Sequence, residues 1–293
     1  MSRVSQGFIG IGRRSIHYRA ARGPGPAVLL VHGSGATSAV WDGFIDVLGG
    51  TADLVAIDLH GVGGTSPWPG PRRLGLEDEA ELLLSAGMEL FGERAFHVVA
   101  HGYGAAVALC AAILAPEALA SVTTVDAQSL GLLERLEPDS EALPPLMSQR
   151  DRFMRWMRDG DPLEAMAGWT AHFHGPEVWP GLARDVRLGL VGLADAVEGQ
   201  WHAQATDRTT MGDLRSLRVP LLVMCGAASG PTLTRLSQLL HGHAPRGRFE
   251  ILDAVGHDGL ETHPTIVAGT WSRHWREGRS RPARRAMPAS AAE

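Results

Sequence analysis

Short, mostly apolar runs of four or five residues recur along the chain, and each closes on a turn rich in glycine, histidine or aspartate. They cover 27–31 (AVLLV), 54–57, 96–100 (FHVVA), 121–125, 220–224 and 249–252. Runs this short, set between turn residues, suit strands covered on both faces better than buried helices. Between them lie helical patterns, such as 76–90, acidic in its first turn as the helix dipole prefers, and 105–114, stopped near Pro116. Strands alternating with helices build a parallel sheet flanked by helices, so the expected class is α/β with a mostly parallel central sheet.

Between residues 130 and 212 the pattern changes. Strand-like runs vanish, and amphipathic stretches carrying Trp156, Trp169, Trp179 and Trp201 take over. This segment is expected to form a helical lid over the carboxyl ends of the strands, inserted into a core made of residues 1–129 and 213–277. Residues 278–293, rich in Arg, Ala, Pro and Ser without periodicity, are expected to be a disordered tail. The 293 residues are 44% apolar and 20% charged, which suits a globular domain and excludes a coiled coil or a collagen-like repeat. A net charge of −5 does not attract phosphate backbones, so no nucleic-acid partner is expected. The first eleven residues lack a basic stretch followed by an apolar core, and no run reaches the roughly 18 apolar residues that span a bilayer. A soluble, cytoplasmic protein without membrane association is expected. Cys110 and Cys225 sit in separate apolar runs and make no disulfide framework.

Four stretches carry the chemistry, each at a strand end: HGSG at 32–35, DLHGVGGTS at 58–66, AHGYGAA at 100–106 and GHDGLETHP at 256–264. In this order the chain resembles the α/β-hydrolase fold family over roughly residues 15 to 277. The resemblance implies a helical lid and a site at the carboxyl ends of the strands. It also implies an oxyanion hole formed at the His32-Gly33 turn by the amide of Ser34 and, beyond the elbow, by the amide of Tyr103.

The elbow departs from the family pattern Gly-x-Ser-x-Gly. Here Ala100-His101-Gly102-Tyr103-Gly104 fills the five positions, so Gly102 stands where the nucleophile belongs. A glycine forms no acyl-enzyme, and loss of such a serine elsewhere costs on the order of 10⁶ in turnover. Neither Ser34, in the oxyanion turn, nor Cys110, on a helix interior, nor the phenol of Tyr103, expected to wall the pocket, is a convincing substitute.

The resemblance implies that His257 is the general base, on the loop after the last strand; a structural loop histidine is the bland alternative. No carboxylate follows 220–224, so Asp126, after 121–125, is the candidate partner for His257, unless it is a turn carboxylate. Trp169 and Trp179 are candidates for a lid pocket, or for lid-to-core packing. The pairs His172/His174 and His241/His243 have no acidic or thiol neighbour at a recognised metal spacing, so no metal is expected. Gly61-Val62-Gly63-Gly64 matches no nucleotide fingerprint, so no cofactor is expected either.

Three functions follow. The first is an enzyme acting on a small, largely apolar carbonyl or ester-like molecule without a covalent serine intermediate, through a lyase, isomerase or cyclase step or through hydrolysis by activated water. The second is a catalytically inactive homologue that binds a small ligand or a partner. The third is an ordinary serine hydrolase in which Gly102 is an engineered substitution.

Overall fold

The computed structural model describes residues 4–280. Eight strands form one sheet: β1 (Ser5–Ile11), β2 (Arg14–Ala21), β3 (Ala27–Val31), β4 (Asp53–Ile57), β5 (Phe96–His101), β6 (Leu119–Val125), β7 (Leu221–Gly226) and β8 (Gly247–Leu252). Their order across the sheet is β1-β2-β4-β3-β5-β6-β7-β8. From β4 to β8 every pairing is parallel, whereas β1 and β2 form an antiparallel hairpin that docks antiparallel on β4. That hairpin was not anticipated from the sequence. Its residues are half-exposed on one face and it turns at Gly12, with φ +60°, so it carries no continuous apolar run.

β3 is apolar at every position, and β4 and β5 are apolar through their middles, because both faces are covered. Leu29, Val31, Val55, Ile57, Val98 and Ala100 face one layer of helices. Val28, Leu30, Leu54, Ala56 and Val99 face the other. The first layer includes α2 (Leu76–Phe91) and α3 (Gly102–Leu114). The second is built on α1 (Asp42–Leu48), and α13 below belongs to it. The side-chain period of two along each strand therefore sorts one apolar run into two cores.

Everything between β6 and β7 is helix or connection: α4 (Leu130–Leu136), α5 (Leu143–Arg158), α6 (Pro162–His174), α7 (Val178–Gly181), α8 (Arg184–Val191), α9 (Ala194–Ala205) and α10 (Met211–Ser216). These helices share a cluster of their own around Phe153, Met166, Trp169, Val197 and Trp201. After β7 come α11 (Pro231–His243), then β8, α12 (Gly259–Thr262) and α13 (Pro264–Ser280). Helix α13 thus runs three residues into the segment expected to be a tail, and residues 281–293 lie outside the described residues. No helix among the described residues is long and apolar enough to cross a membrane.

Strand order decides where a ligand can enter. The chain leaves β3 for β4 on one side, whereas β5 is followed by β6 on the other, so the connections diverge at the neighbouring carboxyl ends of β3 and β5. A crevice at such a switch point is the usual ligand site of an open parallel sheet.

Candidate active site

At that crevice the turn after β3 meets the start of α3. Gly102 has φ +51°, in the left-handed region, and is the hinge on which strand β5 becomes helix α3 within one residue. A Cβ built there would meet Gly33 Cα at 3.6 Å, His257 Cε1 at 3.6 Å and Gln128 Cδ at 3.8 Å. The elbow geometry and the room for a side chain are therefore both present. Two residues on, a Cβ on Gly104 would overlap the carbonyl oxygen of His32, so α3 approaches β3 more closely than any other residue allows.

His257 lies on the loop after β8. Its Nδ1 is 3.3 Å from Asp126 Oδ2. Asp126, at φ +48°, also accepts from the Gly226 amide at 3.0 Å and from the Ser229 hydroxyl at 2.6 Å. A non-glycine residue held at positive φ is strain of the kind that collects at functional sites. Burial works to raise the Asp126 carboxyl, but the hydrogen bonds and charge of His257, with the Ser229 hydroxyl, outweigh it and hold it below the ordinary carboxylate range. Ser229, after β7, thus supports the carboxylate from a strand end that carries no acid of its own.

Two residues that the sequence reading did not single out complete the site. His101, just before the elbow, is pushed down to about 3, first by burial and then by His257, so its ring is neutral. Its Nε2–H donates to the His257 carbonyl at 2.9 Å, and the two rings lie 4.5 Å apart. Its Nδ1 is buried without a partner, and a Cβ on Gly33 would sit 2.8 Å from it. Glycine at 33 therefore lets the turn after β3 pass His101. Gln128 is 3% exposed and places its Nε2 3.4 Å from His257 Nε2. No motif announces either role, because the His257 partners lie 156 and 129 residues away in the chain.

The remaining candidates divide. Ser34 lines the recess beside His257. Tyr103 is in the first turn of α3, where amide N–H groups have no acceptor within the helix. Its side chain, however, does not wall the pocket: it is fully buried in the core beside α2. The reason is geometric, since a helix that leaves the strand at Gly102 turns its second residue inward. Trp169 lines the recess and covers the Gly35 turn. Trp179 instead packs on the cluster of the inserted helices and is not among the residues lining that recess. Burial pushes the Cys110 thiol up to about 12 and the Cys225 thiol up to about 11, so neither is a thiolate nucleophile. Asp58 is held by the His17 ring at 2.7 Å and by the Ser38 amide at 2.6 Å, as a turn carboxylate.

The recess beside His257 has a volume of about 220 Å³ and is walled by Ser34, Trp169, His174, Leu182, Val186 and Leu190. It shares Gly35, Val40, Val186 and Leu190 with an outer chamber of about 690 Å³ that reaches the Gly61 turn. A third recess, of about 180 Å³, reaches His257 from the side of Phe173 and Ser229. Among the described residues lining these three spaces there is no arginine, and the chain has no lysine. Asp258 and Glu261 are the carboxylates there, and burial lowers the imidazole of His174. A groove of about 610 Å³ under α13 lies at the amino-terminal ends of β3, β5, β6 and β7, away from all of these groups. His101, Asp126 and His257 could bring three ligand atoms within 4.8 Å of one another. Asp126 and His101 are already committed to Gly226, Ser229 and the His257 carbonyl, which does not suit a metal.

A family model described as alpha/beta hydrolase fold matches residues 26–264. A pimeloyl-[acyl-carrier protein] methyl ester esterase of Methylococcus capsulatus is 36% identical over 132 residues, 45% of this chain and 48% of its own length. A probable lysophospholipase, BODYGUARD 2 of Arabidopsis thaliana, is 32% identical over 101 residues, 33% of this chain and 21% of its own. The chain thus spans less than half the length of these curated relatives. Among solved structures, 2-hydroxy-6-oxo-6-phenylhexa-2,4-dienoate hydrolase from Rhodococcus sp. strain RHA1 superposes with a TM-score of 0.74 at 22% identity, over 94% of this chain and 99% of that one. That likeness is one of fold.

Proposed function

The chain belongs to the α/β-hydrolase fold family, and from that premise we propose that it hydrolyses a small, uncharged, largely apolar ester or related carbonyl compound with a water activated by His257, without a covalent intermediate. The observation that carries this reading is the pairing of a side-chain-free elbow, Gly102, with an intact His257–Asp126 couple that faces it.

In the proposed reaction the water oxygen attacks the carbonyl carbon while His257 Nε2 takes one water proton. The Asp126 carboxylate, facing Nδ1–H, holds the tautomer and stabilises the imidazolium that forms. Charge developing on the carbonyl oxygen falls to the amides of Ser34 and Tyr103, the latter at the positive end of α3. Collapse of the tetrahedral intermediate breaks the bond to the leaving oxygen, which takes the proton back from Nε2. The other water proton stays with the acid product. Enzymes of this type that lose the serine retain a rate about 10³–10⁴ over water from the oxyanion hole and binding alone. A base aimed at water adds to that floor. The lining supports an uncharged substrate, because a carboxylate would be desolvated beside Asp258 and Glu261 with no cation to meet it.

The test is hydrolysis of p-nitrophenyl acetate by the chain and by His257→Ala. The expected result is steady release of nitrophenol without an initial burst, falling at least 100-fold in the variant. A stoichiometric burst, or equal rates for the two proteins, refutes the proposal. Mono-p-nitrophenyl succinate, which carries a carboxylate, is expected to be the poorer substrate.

A further inference from the structure

Gln128 has a geometry that its place in the sequence does not explain. It lies between β6 and α4, two residues after Asp126, and its backbone amide donates to the Gly102 carbonyl at 3.0 Å. The main chain of Gln128 is thereby tied to the elbow itself. Its side chain is buried, with Cδ 3.8 Å from the point a Gly102 Cβ would take and Nε2 3.4 Å from His257 Nε2. A buried amide costs stability unless it is hydrogen-bonded, and this one meets the ring nitrogen that a serine hydroxyl would meet. Because Asp126 accepts the Nδ1–H of His257, Nε2 carries the lone pair, and the Gln128 amide is the donor.

We infer that Gln128 is a positioning residue that takes over from the absent elbow side chain: its amide holds His257 Nε2 in the resting site and orients the reacting water over Gly102. The point above Gly102 Cα is bounded at 3.6 to 3.8 Å by Gly33, His257 and Gln128. A water stands farther out than that point, at van der Waals distance from Gly102 Cα, with Nε2 as acceptor for its proton and the Gln128 N–H as donor to its oxygen, the two polar partners that an ordered water requires. As the water enters, the amide hydrogen bond passes from Nε2 to the water oxygen. Nε2 is then free to accept the proton released in the attack. The catalytic part of this inference rests on His257 acting as the base.

The experiment uses the full chain, Gln128→Met, which keeps the length and removes the donor, and Gln128→Glu, which keeps the shape and replaces the donor with an acceptor. Circular dichroism establishes that each variant is folded. Nitrogen-15 shifts of the His257 ring, assigned with His257→Ala, read the contact without any turnover. In Gln128→Met the Nε2 resonance is expected to move to that of a lone pair without a donor, and in Gln128→Glu to gain a proton. Hydrolysis of p-nitrophenyl acetate is expected to lose about tenfold in kcat in Gln128→Met, with KM within twofold. An unchanged Nε2 resonance in folded Gln128→Met overturns the inference, and so does a moved resonance with unchanged kcat. If His257→Ala hydrolyses the ester as well as the unaltered chain, the proposed function fails, while the Nε2 resonance still decides whether Gln128 caps the ring.

Discussion

Gly102 is where one residue changes what a whole site can do. At φ +51° a β-carbon costs about 1–2 kcal/mol, so glycine relaxes a strain that a serine elbow must hold. Gly102→Ser is accordingly expected to lower stability by about 1–2 kcal/mol in chemical denaturation. The same substitution is expected to make the protein react with a fluorophosphonate, read as an intact-mass adduct that the unaltered chain lacks. Absence of an adduct on the folded variant would show that base and oxyanion donors are not aligned on the elbow. At this scale the sequence was informative wherever a motif has fixed spacing along the chain: the places of Gly102, the Ser34 turn and His257 at strand ends were readable. Gln128 and His101 were not, because their roles come from contacts across more than a hundred residues. The Tyr103 phenol was misjudged for a related reason, since the direction of a side chain depends on the angle at which its helix leaves the sheet.

Among the elements, α8 is the one whose sequence says least about its use. None of its residues is buried, yet Val186 and Leu190 wall both the inner recess and the outer chamber. Leu190 and Val191 touch only the edge of the cluster of the inserted helices, and an element with no fully buried residue tolerates substitution. Leu190→Trp is expected to lower kcat/KM for p-nitrophenyl octanoate much more than for the acetate, while stability changes by no more than about 0.5 kcal/mol. Equal losses on both esters would mean that α8 does not line the path of the acyl chain. The strands behave in the opposite way. A run such as AVLLV is apolar throughout because residues 27, 29 and 31 enter one core and 28 and 30 the other. The β1–β2 hairpin, with one open face, lacked that signature and went unread.

For the whole molecule, buried titratable groups set the pH range of stability. Burial pushes Glu79 up to about 8, so the fold keeps a proton that the unfolded chain releases near its ordinary value of 4.5. The Glu79 proton thus removes stability as pH rises from about 4.5 to 8. Burial pushes the His101 ring down to about 3 and the His97 ring down to about 4, so the unfolded chain takes up protons below 6.5 that the folded chain refuses. Those two rings, with buried His32 and His60 acting in the same direction, remove stability as pH falls below 6.5. With more histidines than glutamates at work below 6.5, maximum stability is expected near that pH. Gln in place of Glu79 is expected to abolish the decline on the alkaline side. Melting curves at pH 5, 6.5 and 8 check this, and a parallel decline in Glu79→Gln above 6.5 would refute it.

The sequence by itself determined the class, the order of the motifs along the chain and the residues at the elbow position, because apolar periodicity and turn chemistry are local properties that survive without a fold. It also determined that the elbow position is glycine, and no packing can supply a side chain there. Only the tertiary structure decided that Asp126 faces His257, that Ser229 supports the carboxylate from the strand end lacking an acid, and that Gln128 meets the ring above Gly102. These contacts join strand ends far apart in the chain, and their geometry is set by sheet order, helix departure angles and backbone strain that appear only once the sheet has closed.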